Sequence, residues 1–267
     1  MNIQNLKDNV YKELARCKGR ASLFMEIEDH VIEFNSHDAY RSASLIKIPI
    51  LFEALRQIEK GIISADADVS LRITDKVGDT GVLQALSCHK YSIQDLLTLM
   101  IIVSDNSATN LLIDMLGIET INSTIRRLGM SNTVMHRKML DFDSINSGKD
   151  NFTSAADMVA CLKEGIDGSL LKFESRDRFH SILLHQQFKE KLPAYIDETL
   201  INAGNKTGEL PGLEHDCAVF SYGDRKAFVA VLIDGLAEAE NGKYTIRQIG
   251  KQVNTFISAN LTRFNHE

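Results

Sequence analysis

No stretch of the 267-residue chain approaches the ~18 to 20 consecutive apolar residues that a membrane-spanning helix needs. No run of Lys or Arg stands out either, and with a formal net charge of −6 this argues against a nucleic-acid partner. The amino terminus, "MNIQNLKDNVYKELARCKGR", lacks the apolar core of a secretory signal. The expectation is a cytoplasmic protein, with an exported protein whose leader has been trimmed as the alternative. The four cysteines, Cys17, Cys88, Cys161 and Cys217, are widely spread and form no C-x-x-C pair. That spacing favours reduced, mostly buried thiols over a disulfide framework or a zinc site. His136, His180, His185 and His215 form no spaced pair of the metal-binding kind, so no metal and no other cofactor is expected. Internal repeats and low-complexity segments are also missing, and nothing in the sequence speaks to oligomeric state.

What is present is an ordinary globular composition, 44% hydrophobic and 25% charged, long enough for one large domain or two interleaved lobes. Ile3, Leu6, Val10, Leu14 and Cys17 recur at three- and four-residue spacing and predict an amphipathic first helix. Alternation then predicts a hairpin, 22–26 paired with 31–35, around a turn at Glu28-Asp29-His30. From about 43 to 190 the pattern is helical, with loops at "GDTG" (78–81) and "SINSGKDN" (144–151). Strand character returns at 217–223 and 226–236 across a "GDRK" turn. A closing helix, "YTIRQIGKQVNTFISANL", puts Ile246, Ile249, Val253, Phe256 and Ile257 on one face. The expected fold is α+β: an antiparallel sheet built from both chain ends and flanked by the terminal helices, with a helical lobe inserted. The predicted boundaries are an α/β lobe of residues 1–42 and 191–267 and a helical lobe of residues 43–190. A small-molecule site between them follows from this layout.

Ser44 and Lys47 interrupt an apolar run, "YRSASLIKIPIL". The S-x-x-K spacing alone is weak evidence, because it recurs at Ser87–Lys90 and Ser169–Lys172. Only Ser44 sits where an extended segment gives way to an apolar helix, with its backbone N–H free to face a bound group. Apolar flanks would desolvate the Lys47 amine and favour its neutral, proton-accepting form. Ser104-Asp105-Asn106 occurs once, between two apolar helical stretches; an isolated S-D-N is more often a helix cap. Lys206-Thr207-Gly208 by itself would read as a solvated turn.

Taken jointly and in this order, S-x-x-K, S-D-N and K-T-G are the three elements of the penicillin-recognising serine hydrolases. The chain resembles a class A β-lactamase or a close relative over nearly its whole length, including "GVLQAL" and "NLLIDMLG" around S-D-N. The resemblance implies the β-lactamase/transpeptidase-like fold. It implies Ser44 as nucleophile, Lys47 as base, Ser104 as proton donor to the leaving nitrogen and Lys206 as a nearby positive charge. Asn106 would bind a substrate side-chain amide, Thr207 the substrate carboxylate, and the backbone N–H groups of Ser44 and Glu209 an oxyanion. Gly208 would allow close backbone approach.

Two departures qualify what the resemblance implies. Class A enzymes carry an E-x-x-L-N loop whose Glu activates the deacylating water. Here "RKMLDFDSINSGKDNF" (137–152) has no Glu, and only Asp141, Asp143 and Asp150 could stand in. No Arg follows the third motif until Arg225, and Glu209, Glu214 and Asp216 are expected to make the cleft rim acidic, with His215 and Asp216 as candidates for gating it. The expected activity is acyl-serine hydrolysis, with β-lactam hydrolysis the family default but slow. A serine peptidase or esterase on the same scaffold is the first alternative, and a catalytically idle ligand- or acyl-binding protein the second.

Overall fold

Residues 1–87 and 89–259 are described here from a computed structural model. Cys88 and the end of the predicted closing helix, Asn260 and Leu261, lie outside them. The chain runs through α1 (Ile3–Arg16), β1 (Arg20–Ile27), β2 (His30–Phe34), β3 (Tyr40–Arg41), α2 (Lys47–Glu59), β4 (Asp68–Ser70) and β5 (Lys90–Ser92). It continues with α3 (Ile93–Ile102), α4 (Asn106–Leu116), α5 (Ile118–Arg127), α6 (Phe142–Asn146), β6 (Phe152–Thr153), α7 (Ala155–Asp167) and α8 (Phe173–Leu184). Three long strands and a helix follow, β7 (Asn202–Leu210), β8 (Leu213–Tyr222), β9 (Arg225–Asp234) and α9 (Ala239–Ser258).

The main sheet is antiparallel with strand order β2-β1-β9-β8-β7, so segments from the two ends of the sequence meet where Arg20 pairs with Asp234. Both faces of β8 and β9 are covered, which is why they read as near-continuous apolar runs. Cys217, Val219, Phe228, Ala230 and Leu232 face the helices α2 to α5, α7 and α8. Ala218, Phe220, Val229, Val231 and Ile233 face the other way, onto Leu6, Val10 and Leu14 of α1 and the apolar stripe of α9. All five stripe residues predicted for α9 are buried.

Helix α2 is apolar nearly all round because it is central, packed by α4, α5, α7 and α8. Its Pro49 lies in the first turn, where a missing N–H costs nothing. Its one buried carboxylate, Glu53, accepts from Arg56, Gln57 and Thr124.

Several boundaries differ from the sequence reading. The first hairpin is longer, with His30 inside β2 and only Glu28-Asp29 turning; Glu28 has φ +53. The 144–151 segment starts inside the short helix α6, capped by Asp141 accepting from Ser144 N–H at 3.0 Å. Among the described residues, 60–92 hold the small β4/β5 pair and a 3₁₀ turn, Ile73–Asp75, rather than α-helix, and β8 begins four residues earlier than its apolar run suggested. Among the described residues no helix is long and apolar enough to cross a membrane.

Candidate active site

Ser44 is the second residue of a 3₁₀ turn, Ala43–Ile46, that runs straight into α2. The segment before it is pinned by β3–β6 pairing and by Ser42 N–H donating to the Asn151 carbonyl at 2.8 Å. Ala43 is held at φ +44, a left-handed conformation that costs an L-residue of order 1 kcal/mol or more and persists only where surroundings impose it. Edge strand β7 presses on this turn. A Cβ on Gly208 would lie 3.3 Å from Ala43 Cβ, Leu45 Cγ and the Ser42 carbonyl. Gly208→Ala is therefore expected to slow acylation roughly tenfold and Gly208→Val about 10²-fold, since sub-ångström misplacement of a nucleophile is costly. Labelling rates of both variants, read beside their Tm, check this; wild-type rates in Gly208→Val would refute it.

Lys47, the first residue of α2, is fully buried. Its Nζ lies 2.7 Å from the Ser104 carbonyl, 2.9 Å from Asn106 Oδ1 and 3.0 Å from Ser104 Oγ. Burial, and secondarily the positive charge of Lys206, hold its pKa well below that of an ordinary lysine, against the pull of Asp105 and Asp79. A neutral amine has two N–H groups and one lone pair, so it can donate to only two of these three oxygens. In that neutral form the third contact reverses, and Ser104 Oγ is the one partner that carries a proton to give. Among the described residues Ser44 Oγ has no protein hydrogen-bond partner.

Ser104 has φ +54 and sits between α3 and α4. The next residue locks it in place. Asp105 caps α4 by accepting from Ala108 N–H at 2.9 Å, and its other oxygen accepts from the Val82 and Leu83 N–H groups at 2.7 and 2.8 Å. Gly81, at φ +105, makes this possible, because a Cβ there would lie 2.3 Å from that carboxylate. Thr80 Oγ1 donates to the Ser104 carbonyl at 3.0 Å. The "GDTG" segment, expected only as a loop, thus forms one wall of the cleft.

Lys206, Thr207 and Gly208 lie in β7 and not in a turn. Lys206 is fully buried, its Nζ donates to the Thr207 carbonyl at 2.7 Å, and burial lowers its pKa to about 8. The cleft has a volume of ≈ 180 Å³ and is lined by Ser44, Ser104 and Thr207, with Thr80, Phe188 and the carboxylates of Asp79, Glu190 and Glu209. Lys47, Asn106 and Lys206 stand behind this lining. Asn106 is turned inward, its Oδ1 on Lys47 and its Nδ2 donating to the Gly78 carbonyl at 3.3 Å. A larger recess beside Arg176 and His180, ≈ 320 Å³, is lined by no serine or cysteine.

The other sequence candidates fall elsewhere. Ser87 and Ser169 are exposed in irregular segments. Asp150 is tied to Arg41 and Arg137 at 2.7 Å each, Asp141 caps α6, and neither they nor Asp143 line the cleft. The acidic rim has a different origin from the one expected. Glu214, His215 and Asp216 are buried within the sheet, so the latter two do not gate the cleft. Lys191, also fully buried, pairs with Glu214 at 2.5 Å and Glu209 at 3.0 Å. Of the expected carboxylates only Glu209 reaches the cleft, and Asp79 and Glu190 join it. Phe188, Glu190 and Lys191 carry no motif, and nothing in their spacing marked them. Among the described residues no group of three or more His, Cys, Asp or Glu is placed to hold a metal ion.

The fold is α+β, an antiparallel sheet with helices on both faces, and it sets Ser44 and the buried Lys47 at the start of a central helix. Residues 5–257 match the family model Beta-lactamase2, the β-lactamase enzyme family, and the chain belongs to that family. A β-lactamase from Sphaerobacter thermophilus superposes with a TM-score of 0.87 at 26% identity, covering 96% of this chain and 98% of that one. PBP-A superposes at 0.86 and 24% identity, covering 96% and 97%. An ancestral class A β-lactamase superposes at 0.84 and 21% identity, covering 93% and 98%. No curated protein matches the sequence.

Proposed function

We propose that the protein is a β-lactamase-like serine hydrolase that works through an acyl-Ser44 intermediate. The observation that carries this reading is the fully buried, low-pKa Lys47, bonded to Ser104 and Asn106 one turn from an unpartnered Ser44 oxygen in the cleft. In the proposed step Ser44 Oγ bonds to the substrate carbonyl carbon while its proton passes to Lys47 Nζ, which exchanges one of its present bonds for Ser44. Collapse of the tetrahedral intermediate breaks the bond to the leaving atom. Ser104 gives that atom a proton and is reprotonated by Lys47, so the amine ends neutral. Backbone N–H groups of Ser44 and Glu209 would hold the developing oxyanion, and Lys206 and Thr207 would face a substrate carboxylate. The sheet region and the inserted helices then act as two lobes around the cleft.

Acylation is expected to outrun deacylation, because none of the aspartates in 137–152 lines the cleft. A mutant of PBP-A was solved as an acyl-enzyme with penicillin G, which supports acylation on this scaffold. A peptidase or esterase acting on a non-lactam substrate is the second reading, favoured by the carboxylates at the cleft. The test is intact-mass analysis after incubation with a fluorescent penicillin, an activated ester and a fluorophosphonate. One adduct per chain is expected in the wild type, in Ser87→Ala and in Ser169→Ala, and none in Ser44→Ala. Labelling that survives Ser44→Ala would sink the assignment.

A further inference from the structure

We infer that the cleft selects acyl substrates carrying a cationic group. This deepens the reading above and rests on Ser44 being the nucleophile of the cleft. Asp79 and Glu190 line it, are exposed, and have no ion-pair or hydrogen-bond partner among the described residues. Glu209 adds a third carboxylate, kept ionised against burial by Lys191 and Lys243. The nearby cations act on the first two only through space, Lys243 on Glu190 and Lys47 on Asp79, and form an ion pair with neither. Lys47 is fully buried behind the lining and bonded to Ser104 and Asn106, Lys206 is buried and turned onto the Thr207 carbonyl, and Lys191 and Lys243 are engaged by Glu209.

The surface a substrate meets on the way to Ser44 is therefore anionic, and low-dielectric walls focus such a field into the cleft. Phe188 supplies apolar surface for the hydrocarbon stem of a charged side chain. An anionic acyl group reaching Asp79 and Glu190 would face two like charges without ion-pair partners, whereas an ammonium would be paired by them. Asp79 belongs to the wall that carries Thr80 and bonds the Ser104 carbonyl, so the preference acts beside the reacting atoms.

The test compares p-nitrophenyl esters of trimethylammonio-hexanoate, of its uncharged tert-butyl isostere, and of adipate as the monoester. At low ionic strength kcat/KM is expected to favour the cation over the isostere roughly tenfold and over the anion roughly 10²-fold. Both ratios should shrink in ~0.5 M salt, where the screening length falls to a few ångströms. The double variant Asp79→Asn, Glu190→Gln should bring the cation-to-isostere ratio close to one. Equal rates for the three esters in the wild type, or a preference unchanged in the double variant, would overturn the inference while leaving Ser44 as nucleophile. Turnover that persists in Ser44→Ala, or failure of all three esters to acylate Ser44, would instead overturn the nucleophile reading.

Discussion

Lys47→Arg is expected to slow acylation of Ser44 by about 10²- to 10⁴-fold, the range over which a positioned general base accelerates proton transfer. A guanidinium cannot lose its proton in a protein, and its planar fork does not fit a space shaped for one amine with three oxygens around it. Wild-type acylation should rise with pH along a limb far below ~10.4, the ordinary lysine value, because burial and Lys206 depress the Lys47 pKa. The rate should fall again as Lys206 loses its charge near its own lowered pKa of about 8, wherever the substrate carries a carboxylate. Lys206→Ala removes part of the pressure on Lys47, so the lower limb should move to higher pH as the maximum rate drops. Stopped-flow labelling across pH 5 to 10, on variants whose Tm shows an intact fold, measures all of this. A Lys47→Arg protein that acylates at near wild-type rate would make Lys47 a structural cation.

With a saturating penicillin the expected time course is a burst equal to the enzyme concentration, followed by a steady state slower by roughly 10²-fold or more. The burst reports formation of the ester on Ser44; the slow phase reports a water molecule with no well-placed base. Asp150 is committed to Arg41 and Arg137, and Asp141 to the α6 cap, so neither can turn toward that water without breaking its own contacts. Quenched-flow with intact-mass detection would show the trapped adduct directly. Fast linear turnover without a burst would assign water activation to another group, and Asp79 and Glu190, as cleft carboxylates, would be the first to replace.

How much of this was legible in the sequence depends on the kind of force involved. Terminal helices and central strands announced themselves through apolar periodicity, because burial on one or both faces constrains every second or every third to fourth residue. Ser44 and Lys47 stood out because a cation inside an apolar run has a desolvation cost that demands a reason. The cleft walls were not legible. Asp79, Thr80 and Gly81 read as a generic turn, since their role depends on Asp105 reaching back across more than twenty residues to accept their neighbours' N–H groups. Nothing in the sequence marked Lys191, and its burial follows only once β7 and β8 bring Glu209 and Glu214 together. The rim's acidity was foreseen and Glu209 does reach the cleft, but Glu214 and Asp216 do not, because the register of β8 decides which side chains point inward.

The pairing of Arg20 with Asp234 also has a kinetic side. During synthesis the first hairpin leaves the ribosome long before β9, the strand that completes the other edge of β1, exists. For that interval Leu23, Met25 and Ile27 flank an open edge with unpaired N–H and C=O groups, a template for pairing with other chains. Closing a sheet through such distant contacts is intrinsically slow and favours populated intermediates. Refolding from denaturant should accordingly lose yield as protein concentration rises, even where the native state is stable.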